Sequence, residues 1–284
     1  MKASEIREFH TPGSGIFFRA RRRLLSEKTP YQKMEIYETA SHGRVLFLDG
    51  LVQTTEKDEF FYHEMLVQPA LMAHPQPRDV LIIGGGDGGT LREVFRHPVG
   101  SAVLVEIDER VIAACRKHFP GLSASFGDKR AEVVIGDGNR YVRETIRQFD
   151  VILVDSSDPV GPSAVLHQEN FYEALKRRLR PGGIIASQAG APLFYLEHLF
   201  EKRVFLEKMF AFARYYLGPV PTYPGGLWCY AFLSDRVDPL RRLRRDVPAK
   251  LKYYNAEVHR AAFALPEFLK ETPARRRRTG TAHG

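Results

Sequence analysis

Five short apolar runs, most of them ended by a glycine turn or by an acid, constrain this chain more than any other feature. Residues 79–83 read DVLII and lead directly into Gly84-Gly-Gly-Asp-Gly-Gly89. Residues 102–105 end in Glu106, residues 132–135 in Gly136-Asp137-Gly138, and residues 149–154 in Asp155. A fifth run, residues 184–187, follows Pro181-Gly182-Gly183. Runs this short, framed by glycine, are strand-sized. Helical segments lie between them, from Thr90, over 109–117 and over 168–179, the last stopped by the Pro-Gly-Gly. Strands alternating with helices predict a parallel, doubly wound α/β sheet with connections of one hand.

The flanks differ in character. Residues 1–55 read as β structure, with alternation over 34–39, a turn at Ser41-His42-Gly43 and a second at Asp49-Gly50. Residues 55–58 resemble a helix start, and the helix carries 60–66. Residues 212–217 and 228–233 can add edge strands. The expected division is a small N-terminal β subdomain over 1–57, a Rossmann-like catalytic domain over 58–272, and a basic, disordered tail over 273–284.

Composition narrows the classes. The 284 residues are 44% hydrophobic and 27% charged, so a sizeable core can form. The first residues hold no apolar signal segment, and the apolar runs are too short to span a bilayer. Cys115 and Cys229 fit no metal-ligand spacing, and a cytoplasmic location is expected. The net charge of +8 invites a nucleic-acid reading. Its excess sits in arginine clusters at 19–23, 241–245 and 275–278 with no stacking aromatics between them, so a solvated basic surface is expected and no nucleic-acid or membrane partner.

The acids carry the chemistry. Glycines between a strand and a helix let a ligand approach the backbone, and Glu106 at the end of the next strand suits ribose hydroxyls. A tight turn alone would need neither. Asp87 inside the glycine loop would repel a pyrophosphate, so the loop favours a cationic ligand and not a dinucleotide. Asp137 can accept from an adenine amine, although Asp-Gly alone is as readily a turn. The strongest signal is residues 155–162, DSSDPVGP, directly after an apolar strand and so at the carboxyl edge of the sheet. Asp155 and Asp158 packed against Asp87 would be unfavourable without a cation or a shared proton, and a polycationic substrate supplies the cation.

These motifs resemble spermidine synthases, the polyamine aminopropyltransferases, most nearly of the bacterial type. The likeness runs from Tyr31-Gln32 to Leu269 and includes residues 48–56, 58–65, 80–94 with GGGDGG, 105–108, 136–138, 154–159, 220–224 and 253–265. It implies a class I methyltransferase-like fold. It also implies transfer of the aminopropyl group of decarboxylated S-adenosylmethionine, a co-substrate, to putrescine, without a prosthetic group or metal, by a homodimer or homotetramer. By resemblance Asp155 is the proton acceptor, with Tyr62, Asp158 and Tyr223 beside it. Gln32, Asp87, Glu106, Asp137, Gly138 and Pro162 face the nucleoside. Gln53, His63, Asp87, Asp155, Ser156, Ser157 and Asp158 face the amine. Taken singly, His63 reads as a helix residue and Tyr62 and Tyr223 as core aromatics.

Two departures bear on the choice of amine. Ala164 stands where family members often carry an acid, and residues 188–192 read QAGAP where a polar or acidic residue is common. The chemistry needs one amine proton removed, because an amine of pKa about 10.4 arrives protonated. Alternatives are the same transfer to agmatine or cadaverine, a methyltransferase on the same fold, and a binding protein without turnover. Asp87 disfavours the methyltransferase, whose donor keeps its carboxylate, and the intact acid set disfavours the binding protein.

Overall fold

The computed structural model describes residues 4–157, 161–241, 243–244, 246 and 248–270. The expected tail over 273–284 lies outside the described residues. Five strands come first: β1 (Ser4–Thr11), β2 (Ser14–Lys28), β3 (Lys33–Thr39), β4 (Arg44–Leu48) and β5 (Leu51–Thr55). They form one antiparallel sheet in chain order. The β4–β5 turn has positive φ at both Asp49 and Gly50, the backbone that a two-residue hairpin requires and that Asp-Gly tolerates.

The second sheet contains β6 (Asp79–Gly84), β7 (Ser101–Glu106), β8 (Ala131–Ile135), β9 (Phe149–Asp155), β10 (Leu179–Gly190), β11 (Phe212–Pro219) and β12 (Leu227–Ser234). Its order is β11-β12-β10-β9-β6-β7-β8, with β6 to β10 parallel and β12 antiparallel to both its neighbours. The chain moves outward from β6 to β8 and returns to place β9 on the other side of β6. That reversal opens a crevice beyond the carboxyl ends of β6 and β9, where such sheets bind ligands.

The helices are α1 (Glu59–Ala73), α2 (Gly89–Val94), α3 (Glu109–His118), the short α4 (Pro120–Ser123), α5 (Gly138–Glu144), α6 (Glu169–Arg177), α7 (Leu196–Met209), α8 (Ala256–Ala262) and the short α9 (Glu267–Lys270). Alternate residues of the central strand feed two cores. Val80 and Ile82 pack with α1 and α2 on one face, and Leu81 and Ile83 pack with α6 and α7 on the other. Period-2 alternation with both faces apolar is the pattern of a strand covered on both sides. A third core joins the sheets, with Met34, Ile36 and Leu46 against Val111, Cys115 and Phe119.

Three local features differ from the sequence reading. The helix expected over 168–179 ends at Arg177, because Pro181-Gly182-Gly183 lies inside β10 as an irregularity between Leu179 and Ile184. Helix α5 begins at the Asp-Gly read as a turn, since the Asp137 side chain caps it by accepting from Asn139 N. Helix α7 went unrecognised because Lys202 is buried among its apolar positions and blurs the stripe.

Helix α1 is buried on nearly every side and organises the molecule. Its Glu64 is 1% exposed and accepts three backbone N–H groups, from Lys252 at 2.8 Å, Tyr253 at 2.9 Å and Tyr254 at 2.8 Å. The carboxylate thereby fixes the segment leading into α8. Glu64→Gln keeps the volume but turns an amide toward those donors. It is expected to lower stability by about 1–3 kcal/mol in denaturant unfolding. A change within about 0.5 kcal/mol would show that the segment is held by packing alone.

Candidate active site

The crevice at the β6/β9 reversal is lined from both sheets. Glu8, Gln32 and Gln53 come from the N-terminal side, Tyr62 and His63 from α1, and Asp87, Glu106, Asp137 and Asp155 from the ends of the parallel strands and the loops after them. Asp155 ends β9 in register with Gly84 of β6. Gly84 has φ +84°, and a Cβ there would stand 2.1 Å from the Asp155 carbonyl oxygen. Glycine is therefore required for β6 and β9 to approach each other where the acid emerges.

Two hydroxyls hold the Asp155 carboxylate. Tyr62 Oη donates to Oδ1 at 2.7 Å, and Thr90 Oγ1 donates to Oδ2 at 2.6 Å. Asp155 is half-buried with its remaining surface toward the cleft. Burial raises its pKa, Asp87 adds to the rise, and the positive His63 opposes it; the net direction is upward. Tyr62 packs against Tyr223 at 5.6 Å and Tyr230 at 5.8 Å. Tyr223 Oη donates to the Gln53 backbone carbonyl and faces Trp228, 4.7 Å away. Tyr62, Tyr223 and Trp228 form one aromatic wall of the cleft, with Tyr230 buried behind it.

His63 lies between acids. Its Nε2 is 3.3 Å from Asp87 Oδ2 and its Nδ1 is 2.7 Å from Glu59 Oε2. Burial disfavours a charged imidazole here, yet Asp87 and then Glu59 raise its pKa well above the ordinary histidine value. Asp87 also accepts from Gly89 N at 2.8 Å, which fixes the carboxylate at the head of α2. Gly89 makes room for the ring, since a Cβ there would fall 2.2 Å from His63 Cε1. His63, Asp87 and Asp155 offer ligand-type atoms within 4.8 Å of one another. An imidazolium bonded through both nitrogens has no lone pair for a metal, so the cation that suits this cluster is one held by charge and hydrogen bonds.

Along the next strands, Glu106 is 8% exposed and accepts from Asp108 N at 2.9 Å. Burial pushes its carboxyl up to about 7, with the charges of Asp108 and Asp155 adding to the rise. Gln32 Nε2 donates to Asp108 Oδ2 at 3.0 Å, beside Thr29 Oγ1 at 2.7 Å. Asp137 is exposed at the cleft and is also the α5 cap, and Gly138 lies beside it. Ser156 and Ser157 line the cleft, and their carbonyls both accept from Gln188 Nε2 at 3.0 Å. Gln188, singled out for its position after the fifth strand, is buried behind the loop. Pro162 belongs to the 3-10 turn Gly161–His167. Asp158, named for both catalysis and amine binding, lies outside the described residues.

Sequence reasoning thus named most of the acids but missed their supports. Thr90 was read only as a helix start, although a threonine just after the glycine loop is placed to reach the neighbouring strand end. Glu8, which accepts from Val52 N at 2.7 Å, comes from β1 and carried no signal, because nothing local announces which sheet edge folds over a cleft. Glu59 and Arg92 lie 33 residues apart and meet only in three dimensions.

Comparison with known proteins follows the same lines. The family model for the spermine/spermidine synthase domain matches residues 59–241, and that for the spermidine synthase tetramerisation domain matches residues 6–56. A polyamine aminopropyltransferase of Moorella thermoacetica is 42% identical over 95% of this chain and 96% of its own length. One from a Thermoanaerobacter species is 45% identical over 87% of this chain and 90% of its own. A spermidine synthase solved with the transition-state analogue AdoDATO superposes with a TM-score of 0.91 at 42% identity, covering 94% of both chains. The Thermotoga maritima spermidine synthase gives 0.90 at 42%, covering 95% of this chain and 94% of that one. The chain belongs to the spermine/spermidine synthase family.

Gly84→Ala would force a side chain into positive φ and into the Asp155 carbonyl. It is expected to cost at least about 2 kcal/mol of stability and to disturb the site. Thermal unfolding at a loss below about 0.5 kcal/mol would show that β6 and β9 can separate without penalty.

Proposed function

We propose, from this family membership, that the chain transfers the aminopropyl group of decarboxylated S-adenosylmethionine to putrescine, giving spermidine and 5′-methylthioadenosine. The single observation that carries the reading is the buried pairing of Asp155 with Tyr62 and Thr90, next to Asp87, at the mouth of a cleft lined by both sheets. The AdoDATO complex of a structural neighbour supports the nucleoside part, and its fold correspondence covers 94% of this chain.

Asp155 takes the proton of the attacking amine. The nitrogen lone pair forms the new bond to the aminopropyl carbon, the carbon–sulfur bond breaks, and its electron pair leaves on a neutral thioether. The protein supplies orientation, charge and exclusion of water. The hydroxyls of Tyr62 and Thr90 aim the Asp155 oxygens, leaving lone pairs toward the cleft. Glu106 is read as the ribose ligand, Asp137 and Gly138 as adenine contacts, and Gln32, through Asp108, and Pro162 as neighbours of the nucleoside. Asp87 serves the aminopropyl amine. Asp158 and the cleft residues Gln53, His63, Ser156, Ser157 and Tyr223 serve the acceptor. Agmatine or cadaverine is the alternative acceptor, since Ala164 and the segment 188–192 differ from common family choices.

The N-terminal strands support an oligomer. They match a tetramerisation domain, and Phe9 and Phe17 are 65% and 56% exposed on β1 and β2. Residues 1–57 and 58–272 are read as the two working units. Both cysteines are buried and unpaired, which supports a reducing, cytoplasmic setting, and among the described residues no helix is long and apolar enough to cross a membrane.

Asp155→Asn fills the same space but cannot take the proton. It is expected to cut turnover at least about 100-fold with the fold retained. A variant keeping more than about a tenth of the wild-type rate would place the base elsewhere. A monoamine matched in length to putrescine lacks the second charge that the acids would hold. Its kcat/KM, followed by mass spectrometry of the product, is expected to fall by about 100-fold or more. Near-equal reaction would mean that the acidic cluster does not anchor the acceptor.

A further inference from the structure

The acids and hydroxyls around Asp155 account for its orientation, yet a chain of buried charges behind it has no part in that account. Arg92 Nη1 and Nη2 donate to the two oxygens of Glu59 at 2.9 and 2.8 Å, a bidentate clamp. Glu59 in turn bonds His63 Nδ1, one helical turn further along α1. His63 Nε2 then meets Asp87, within 4.8 Å of Asp155. Positive and negative groups alternate along the whole chain: Arg92, Glu59, His63, then the two cleft acids. Glu59 is 8% and His63 3% exposed, so water screens little of this.

We propose that Glu59 and Arg92 are positioning residues that act through His63: they hold a permanent positive charge against Asp87 and Asp155 so that Asp155 stays ionised as the base. This rests on the reading of Asp155 as the proton acceptor. Two carboxylates this close are costly to ionise together, and a fixed cation beside them removes most of that cost. A histidine with one free nitrogen would give up its proton near pH 6.5 and leave the acids to share one proton. Glu59 prevents this by occupying Nδ1, and Arg92 prevents Glu59 from taking the proton itself. Burial would raise the Glu59 carboxyl, but His63 and Arg92 bring it down to about 2, so it remains an anion throughout the working range. The other groups facing His63 are consistent with this role. Asp87 comes from the β6–α2 loop, Asp155 from the end of β9, and the Tyr62 ring from α1 itself, 5.4 Å away; none of these is a cation. His63 is therefore the nearest positive group to Asp155 among those that set its ionisation.

The sign of the effect is fixed. Removing the His63 charge takes away a positive neighbour that lowers the Asp155 pKa alongside the hydrogen bonds of Thr90 and Tyr62, so the Asp155 midpoint must rise. Glu59→Gln leaves a neutral amide at Nδ1 and lets His63 deprotonate. The test is an NMR titration of the holoprotein chain labelled at the aspartate side-chain carbons and histidine ring nitrogens, in wild type, Glu59→Gln and Arg92→Met. In wild type His63 is expected to stay doubly protonated through pH 8. In Glu59→Gln its ring is expected to titrate below that, with the Asp155 midpoint rising by about one pH unit or more. The acid limb of kcat/KM is expected to move with it, and Arg92→Met to shift both in the same direction by less. An unmoved Asp155 midpoint, or a neutral His63 in wild type at pH 7, overturns the proposal, and so does a uniform loss of rate with an unshifted pH profile. If Glu59→Gln does not fold, Arg92→Met, whose side chain is partly exposed, carries the same decision. The spectra report ionisation whether or not aminopropyl transfer is observed, so failure of this inference and failure of the functional reading give different results.

Discussion

Asp87 and Asp155 bring two carboxylates together beyond the carboxyl ends of two paired strands of the central sheet, and the rest of the site follows from what that closeness demands. Like charges at this range and partly out of water are tolerated only with compensation. The protein supplies it in three ways: hydroxyls from Tyr62 and Thr90, a backbone N–H from Gly89, and the imidazolium of His63. Each depends on a local structural choice. Gly84 lets the strands close, Gly89 gives His63 its space, and the helical period of α1 sends Tyr62 and His63 into the cleft while Glu64 secures the C-terminal segment. An acidic cluster built this way is suited to cationic ligands and poorly suited to anionic ones.

The N-terminal sheet is as much part of the site as the Rossmann-like core. Its strands β3 and β4 pack on α3 through Met34, Ile36 and Leu46, and this brings Gln32 to Asp108 at the head of α3. Glu8 of β1 and Gln53 of β5 line the cleft together with Glu106 and Asp137. A ligand there would touch both sheets, so binding and the docking of the two sheets are coupled. The exposed phenylalanines of β1 and β2 lie on the same sheet, which links assembly of copies to the part of the molecule that covers the cleft.

The sequence made the parallel strands and their acid-tipped ends legible because both are local: an apolar run of strand length, then a glycine or an acid. Asp87, Glu106, Asp137 and Asp155 could be named in order without coordinates. The Asp49-Gly50 turn was readable for the same reason. What was hidden is whatever depends on distant partners. Helix α7 carries a buried lysine and no clean stripe, and Pro181-Gly182-Gly183 proved an irregularity inside β10 rather than a bare stop. Thr90, Glu59 and Arg92 look like ordinary helix residues until the fold sets them beside Asp155 and His63. Gln188 stands in a segment read only as bearing on the choice of amine, and its side chain holds the carbonyls of Ser156 and Ser157.

The central claim is that the glycine loop and its neighbouring acid select a nucleoside sulfonium without a carboxylate. Titration calorimetry with decarboxylated S-adenosylmethionine and with S-adenosylmethionine, at matched pH and ionic strength, tests it directly. The two ligands differ by one carboxylate, which would have to lie near Asp87. The account predicts that the decarboxylated form binds at least about tenfold more tightly, with the preference shrinking in Asp87→Asn. Equal or tighter binding of the carboxylated form would contradict it.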